Sequence, residues 1–160
     1  MIGLKKINMK IQLSENKIIK DAVTVFSHPG AEVDVVMDLK SLTFRPNSIT
    51  EMYAFHIVDH LFPEESAEAF KNWYNLLKPG ASLHLVNDDF EYLARAFVGG
   101  DIDIEIMNDL HNHPCQCTQD NVVKMLKEAG FKEGNIVMWY GGSPEGVGKK
   151  HYEFILTAKK

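Results

Sequence analysis

Four short segments rich in apolar and β-branched residues occupy the first third of this chain before any helical period begins, and that order limits the folds open to it. They are Lys6–Met9, Ala22–Phe26, Val33–Met37 and Thr50–Phe55. Turn chemistry separates them, as Ser14-Glu15-Asn16, His28-Pro29-Gly30 and Arg45-Pro46-Asn47-Ser48. Asn and Ser side chains bond their own backbone, Pro fixes φ and Gly tolerates positive φ, so each stretch reads as a break between strands.

The period then changes. Glu64 to Lys78 carries Ala67, Phe70, Trp73, Tyr74 and Leu77 at helical spacing, and Lys78-Pro79-Gly80 closes it with a cation, a breaker and a glycine. Ser82–Val86 reads as a strand. Asp88 or Asp89 caps a second helix bearing Phe90, Leu93, Ala94 and Phe97, which closes at Gly99-Gly100. Residues 101–117 are the least regular. Thr118 caps a third helix with Val122, Val123 and Leu126 on one face, ending at Ala129-Gly130. Asn135–Tyr140 and Tyr152–Ala158 flank Gly141, Gly142, Gly146 and Gly148 and read as a hairpin with a long connection. Strands alternating with helices predict an α/β sheet, mostly parallel, with an antiparallel edge from that hairpin. The early strands have no long helices between them, so one layer over the sheet should be thin.

Composition narrows the classes. A chain of 160 residues with net charge −5 fits one domain, residues 1–160. No apolar run approaches the ~20 residues of a membrane span, and the N-terminus has no signal-peptide pattern. Two cysteines one residue apart, Cys115 and Cys117, cannot staple a fold and fit a reducing cytoplasm. The acidic balance argues against general nucleic-acid binding, which needs cationic contacts.

The run Asp38-Leu39-Lys40-Ser41-Leu42-Thr43-Phe44-Arg45-Pro46-Asn47-Ser48 continues as Ile49-Thr50-Glu51-Met52-Tyr53-Ala54-Phe55-His56-Ile57-Val58-Asp59-His60. Together with Trp73-Tyr74-Asn75-Leu76-Leu77-Lys78-Pro79-Gly80 and Leu126-Lys127-Glu128-Ala129-Gly130-Phe131, it resembles the compact class I S-adenosylmethionine-dependent methyltransferases of the type 11-like, small-molecule kind. The resemblance implies a Rossmann-like α/β fold with helices on both faces, a reduced N-terminal half and a C-terminal antiparallel hairpin. It also implies S-adenosylmethionine as cofactor and a small-molecule acceptor. Asn8, Lys10, Phe26, Asp38, Leu39 and Phe55 are the expected cofactor-side positions, and His56, Asp88 and His111 the expected catalytic ones. Asn87-Asp88-Asp89-Phe90 matches the rim of the family's acceptor pocket, although Asp89 serves equally as a helix cap.

Two family features are missing. Where the family has a Gly-x-Gly loop after the first strand, this chain reads Ile7-Asn8-Met9-Lys10-Ile11-Gln12, with no glycine until Gly30, and Phe26 stands where an acid would grip the ribose hydroxyls. Asp38 remains as the adenine-side acid, or as a strand-end Asp capping its own turn. Two functions therefore stay open: methyl transfer to a small acceptor, or a non-catalytic binding or homo-oligomeric protein on the same fold.

Two further patterns stand out. His56 and His60 flank Asp59 at i and i+4, and on a helix the imidazoles would share a face. His111, His113, Cys115 and Cys117 alternate strictly, so an extended segment would aim all four to one side. With a two-residue rise of about 6.6 Å, one tetrahedral ion cannot easily take all four. Neither pattern is assigned a metal; an acceptor-side or surface loop is the simpler reading of the second.

Overall fold

The computed structural model describes residues 8–111, 113–139 and 152–160. Lys6 and Ile7 of the expected first strand, and the glycine-rich connection between the last two strands, lie outside them. The chain forms β1 (Met9–Leu13), β2 (Val23–Phe26), β3 (Val35–Val36) and β4 (Ile49–Phe55). A 3-10 turn at Val58–His60 leads into α1 (Pro63–Leu76) and β5 (Leu77–Asp88). Then come α2 (Phe90–Gly99), α3 (Ile104–His111), α4 (Gln119–Ala129), β6 (Ile136–Trp139) and β7 (Glu153–Lys159). The seven strands form one sheet in the order β3-β2-β1-β4-β5-β7-β6. The first five strands in chain order pair in parallel, and β7 runs antiparallel to both β5 and β6. No helix among the described residues is long and apolar enough to cross a membrane.

The expected first strand is displaced. Met9–Leu13 is the true β1, with Ile11 and Leu13 fully buried in the main core while Lys10 and Gln12 alternate to the other face. Those two polar residues hide a period-2 strand from a reading by hydrophobicity. The 101–117 stretch is more regular than expected, because Asp103 accepts from the Glu105 amide (3.0 Å) at the start of α3.

Local signals held elsewhere. Asp89 accepts from Glu91 N and caps α2, Gly100 ends it at φ 81°, and Thr118 caps α4 through Asn121 N. Helix α1 starts one residue early at Pro63, with Glu65 reaching back to the Phe62 amide (3.1 Å). It stops before Lys78-Pro79-Gly80, and β5 begins directly at Leu77. The orphan carbonyls of its last turn are met from far away: Lys160 Nζ donates to Tyr74 O (2.8 Å) and Leu77 O (2.9 Å).

One face of the sheet holds the main core. Ile11, Leu13, Met52, Ala54, Leu83, Leu85 and Leu156 pack there against Phe70 and Trp73 of α1 and Leu126 of α4. Helices α1 and α4 cover this face. The second face carries a small cluster of Tyr53, Phe55, Val86 and Ile155 with Ile19, and no helical residue belongs to it. The thin layer follows from the connections, since residues 14–22 join parallel β1 to β2 without the helix such a crossover usually contains.

Trp73 is fully buried, and its Nε1 donates to Leu39 O (2.8 Å), tying α1 to the turn after β3. Trp73→Ala should lower unfolding free energy by about 3–5 kcal/mol, read as a reduced urea midpoint. A loss below about 1 kcal/mol would refute this anchoring role.

Candidate functional site

Strand order reverses between β1 and β4, and in open α/β sheets ligands sit at such a switch point, beyond the carboxyl ends of the strands. A cleft of about 270 Å³ lies there. Ser14 to Asn16 and Ile18 come to it from the β1–β2 connection, Phe26 from the end of β2, and Phe55, His56 and His60 from the end of β4 and beyond. A second hollow of about 310 Å³ shares Glu15, Asn16 and Phe26 and extends over His28 to Val33.

The β1–β2 connection is closed by Gln12, which is completely buried. Its Nε2 donates to Thr24 Oγ1 (2.7 Å) and Asn16 O (3.3 Å). Its Oε1 accepts from Ile18 N (3.1 Å) and Ile19 N (2.7 Å). All four hydrogen-bonding positions of the amide are filled. Ser14 Oγ also donates to Asn16 O (2.5 Å). Farther out, Lys17 N donates to Glu32 and Lys17 Nζ pairs with Asp34 (2.9 Å). Asp34 also accepts from the Thr24 amide (2.8 Å), and these contacts, the amide first, hold its carboxyl below the usual range.

His56 follows β4 with φ 50°, a left-handed conformation unusual for a side chain of this size, held by its amide donating to Val86 O (2.8 Å). Its Nε2 donates to Glu153 Oε1 (2.9 Å), and its Nδ1 lies 3.8 Å from Asp88 Oδ1. Glu153 was not among the expected residues; it starts β7 and reaches His56 only because β7 pairs beside β5.

Of the expected positions, Phe26, Phe55 and His56 line one cleft, and Asp88 stands beside His56. Asn8 and Lys10 do not join them. Asn8 precedes β1, and Lys10 is near its amino end between Asp21 and Glu51 (3.0 Å each). Those hydrogen bonds, Glu51's first, raise the Lys10 ammonium well above its usual pKa. Both residues therefore sit at the opposite end of the sheet, a correction that follows from the displaced first strand. Asp38 is exposed and accepts from Lys40 N (3.1 Å), capping its own turn. Leu39 is a core residue. His111 ends α3, so the His-x-His-x-Cys-x-Cys run is not one extended segment, and its side chain is outside those described.

His56 and His60 also part company. The backbone turns at His56 instead of entering a helix, so His60 groups with Asp59 and His113 while His56 groups with Asp88 and Glu153. The loop after α3 docks on the first of these groups through Cys115 N donating to Asp59 O (3.1 Å). Cys115 and Cys117 are buried with their sulfurs in contact (2.7 Å). The hydrogen bond from Cys117 holds the Cys115 thiol below its usual pKa; giving that bond, with burial, pushes Cys117 up.

The sequence matches no protein-family model and no curated protein. Its fold does have solved counterparts. One is a SAM-dependent methyltransferase from Thermotoga maritima described as a possible histamine N-methyltransferase (TM-score 0.65, 15% identity, covering 95% of this chain and 82% of that one). Another is an S-adenosylmethionine-dependent methyltransferase from Mesorhizobium loti (TM-score 0.62, 14% identity, 98% and 94% covered). Human N-acetylserotonin methyltransferase, solved with SAM, matches at TM-score 0.63 and 11% identity over 95% of this chain and 47% of its own length. The chain therefore has a Rossmann-like class I methyltransferase fold; at these identities the likeness concerns the fold alone.

The donor set does not fit S-adenosylmethionine in the manner the resemblance implies. Gln12 takes the Ile18 and Ile19 amides, Phe26 offers no acceptor for ribose hydroxyls, and Asp38 caps its own turn away from the residues lining the cleft.

Gln12→Ala would strip partners from Thr24 Oγ1 and two backbone amides. We expect a loss of about 1–3 kcal/mol, with faster hydrogen exchange at Ile18 and Ile19. Unchanged exchange at both amides would show that Gln12 does not close the loop.

Proposed function

We propose that this chain is a small-ligand-binding protein on a methyltransferase fold that no longer holds S-adenosylmethionine. Gln12 carries the reading: a fully buried amide occupies the place where an open loop would offer its N–H groups to a cofactor. The cleft that remains presents apolar surface from Phe26 and Phe55 and polar groups from Ser14, Asn16 and His56. Its ligand is a small molecule with one flat apolar face and a hydrogen-bonding edge, matching a largely apolar pocket with a few placed polar groups.

The His56–Glu153 pair favours a second reading, transfer of a methyl group to a small acceptor. An ionised Glu153 only accepts, which keeps a proton on Nε2 and leaves Nδ1 able to take one from an acceptor hydroxyl or amine. Asp88, 3.8 Å from Nδ1, would favour the imidazolium so formed. Positioning of the acceptor would supply most of the rate.

A thermal-shift titration with S-adenosylmethionine and S-adenosylhomocysteine separates the two. A ligand at 100 times its dissociation constant stabilises the fold by about 2.7 kcal/mol. We expect no shift from either compound at millimolar concentration. A clear, saturable shift from either compound would overturn the binding-protein reading in favour of methyl transfer.

A further inference from the structure

We infer that Asp59, His60 and His113 form a binding site for a divalent first-row transition metal, zinc by its donor chemistry, at the junction of the Val58–His60 turn and the loop that follows α3. Asp59 is 3% exposed, and neither carboxylate oxygen has a hydrogen-bond partner. A carboxylate buried in this state is neutralised, hydrated or bound to a cation.

The surroundings favour the cation. His113 Nδ1 lies 3.3 Å from Asp59 Oδ2, outside hydrogen-bonding geometry, and His60 completes a trio with one donor atom from each residue all within 4.8 Å of one another. Two ligands on one tetrahedral zinc ion, each bonded at about 2.0–2.2 Å, stand about 3.3–3.5 Å apart. The Asp59–His113 spacing matches that figure, and a small inward movement of His60, whose ring meets His113 edge-on at 4.7 Å, brings in the third ligand. A void of about 10 Å³ borders Asp59, His113, Cys115 and Cys117, the room of one water or one ion.

Imidazole and carboxylate donors select zinc-like ions over magnesium or calcium, which prefer all-oxygen shells. Cys115 docks its amide on Asp59 O and so fixes the loop that carries His113, and the fourth position is left to water. Asp59 and His60 come from one segment and His113 from another far along the chain, and the ion ties one to the other. The His56–Asp88–Glu153 trio is the other such group among the described residues, but there His56 Nε2 already donates to Glu153 Oε1.

The test uses the full chain, stripped with chelator and titrated with zinc chloride, and in parallel with cobalt(II). One equivalent of zinc per chain is expected, with a tetrahedral cobalt spectrum in the visible region. His113→Ala, on a partly exposed loop, should weaken zinc binding about a hundredfold, as should Asp59→Asn. Near-ultraviolet circular dichroism of the metal-free variants checks folding, and His113→Ala carries the test if Asp59→Asn does not fold. Zinc binding that is absent, that survives His113→Ala unchanged, or that disappears only in His56→Ala would overturn the assignment.

Discussion

Gln12 joins three pieces of chain that a crossover helix would otherwise organise. A parallel β-α-β unit meets the backbone groups of its connection inside the helix, but residues 14–22 contain none between β1 and β2. The groups that would be stranded at this buried corner are collected by one primary amide, which bonds Thr24, Asn16, Ile18 and Ile19. A buried polar side chain is favourable only when fully satisfied, and Gln12 is. The cleft beyond β1 and β4 follows from the sheet order, while Gln12 takes up the Ile18 and Ile19 amides beside it.

With α1 and α4 on the main-core side, the sheet protects its second face by other means as well. Among the described residues it does so with aromatic stacking and ion pairing. Tyr53 stacks on His84 (4.8 Å between ring centroids) and on Phe55 (6.0 Å), over a cluster that includes Val86 and Ile155. At the other end of this face Lys10 spans Asp21 and Glu51, its stem covering β1 where a helix would lie. The last residue contributes too. Lys160 Nζ reaches Asn47 Oδ1 as well as the α1 carbonyls, so the chain end clasps the start of β4 to the end of α1.

These features explain what could be read in advance. Helix caps at Asp89 and Thr118 and terminators at Gly100 and Gly130 were legible because capping is local, set by residues two to four apart. The parallel sheet with its antiparallel edge was legible for the same reason, from periods and turns. The first strand was not, because Lys10 and Gln12 face the second side and break the apolar run that marks a strand. Nor was the partnership of His56 with Glu153, or of Asp59 with His113. Each joins segments that meet only through sheet pairing or loop docking, and no spacing in the sequence encodes them.

The positive φ at His56 decides how the polar residues after β4 are used. Had residues 56–60 continued as a helix, both imidazoles would have shared one face and competed for the same neighbours. A left-handed turn for a non-glycine residue costs about 1–3 kcal/mol, and the hydrogen bond from its amide to Val86 offsets part of that. In return, the chain sends His56 toward Glu153 and Asp88 at the ligand end of the sheet, and Asp59 with His60 toward the loop carrying His113 and the two thiols. One left-handed residue thus gives the two imidazoles different polar partners, although both still border the cleft. Strain of this kind persists where the surroundings over-determine it, and here Val86 O of β5, Glu153 of β7 and the loop after α3 each engage one of these residues.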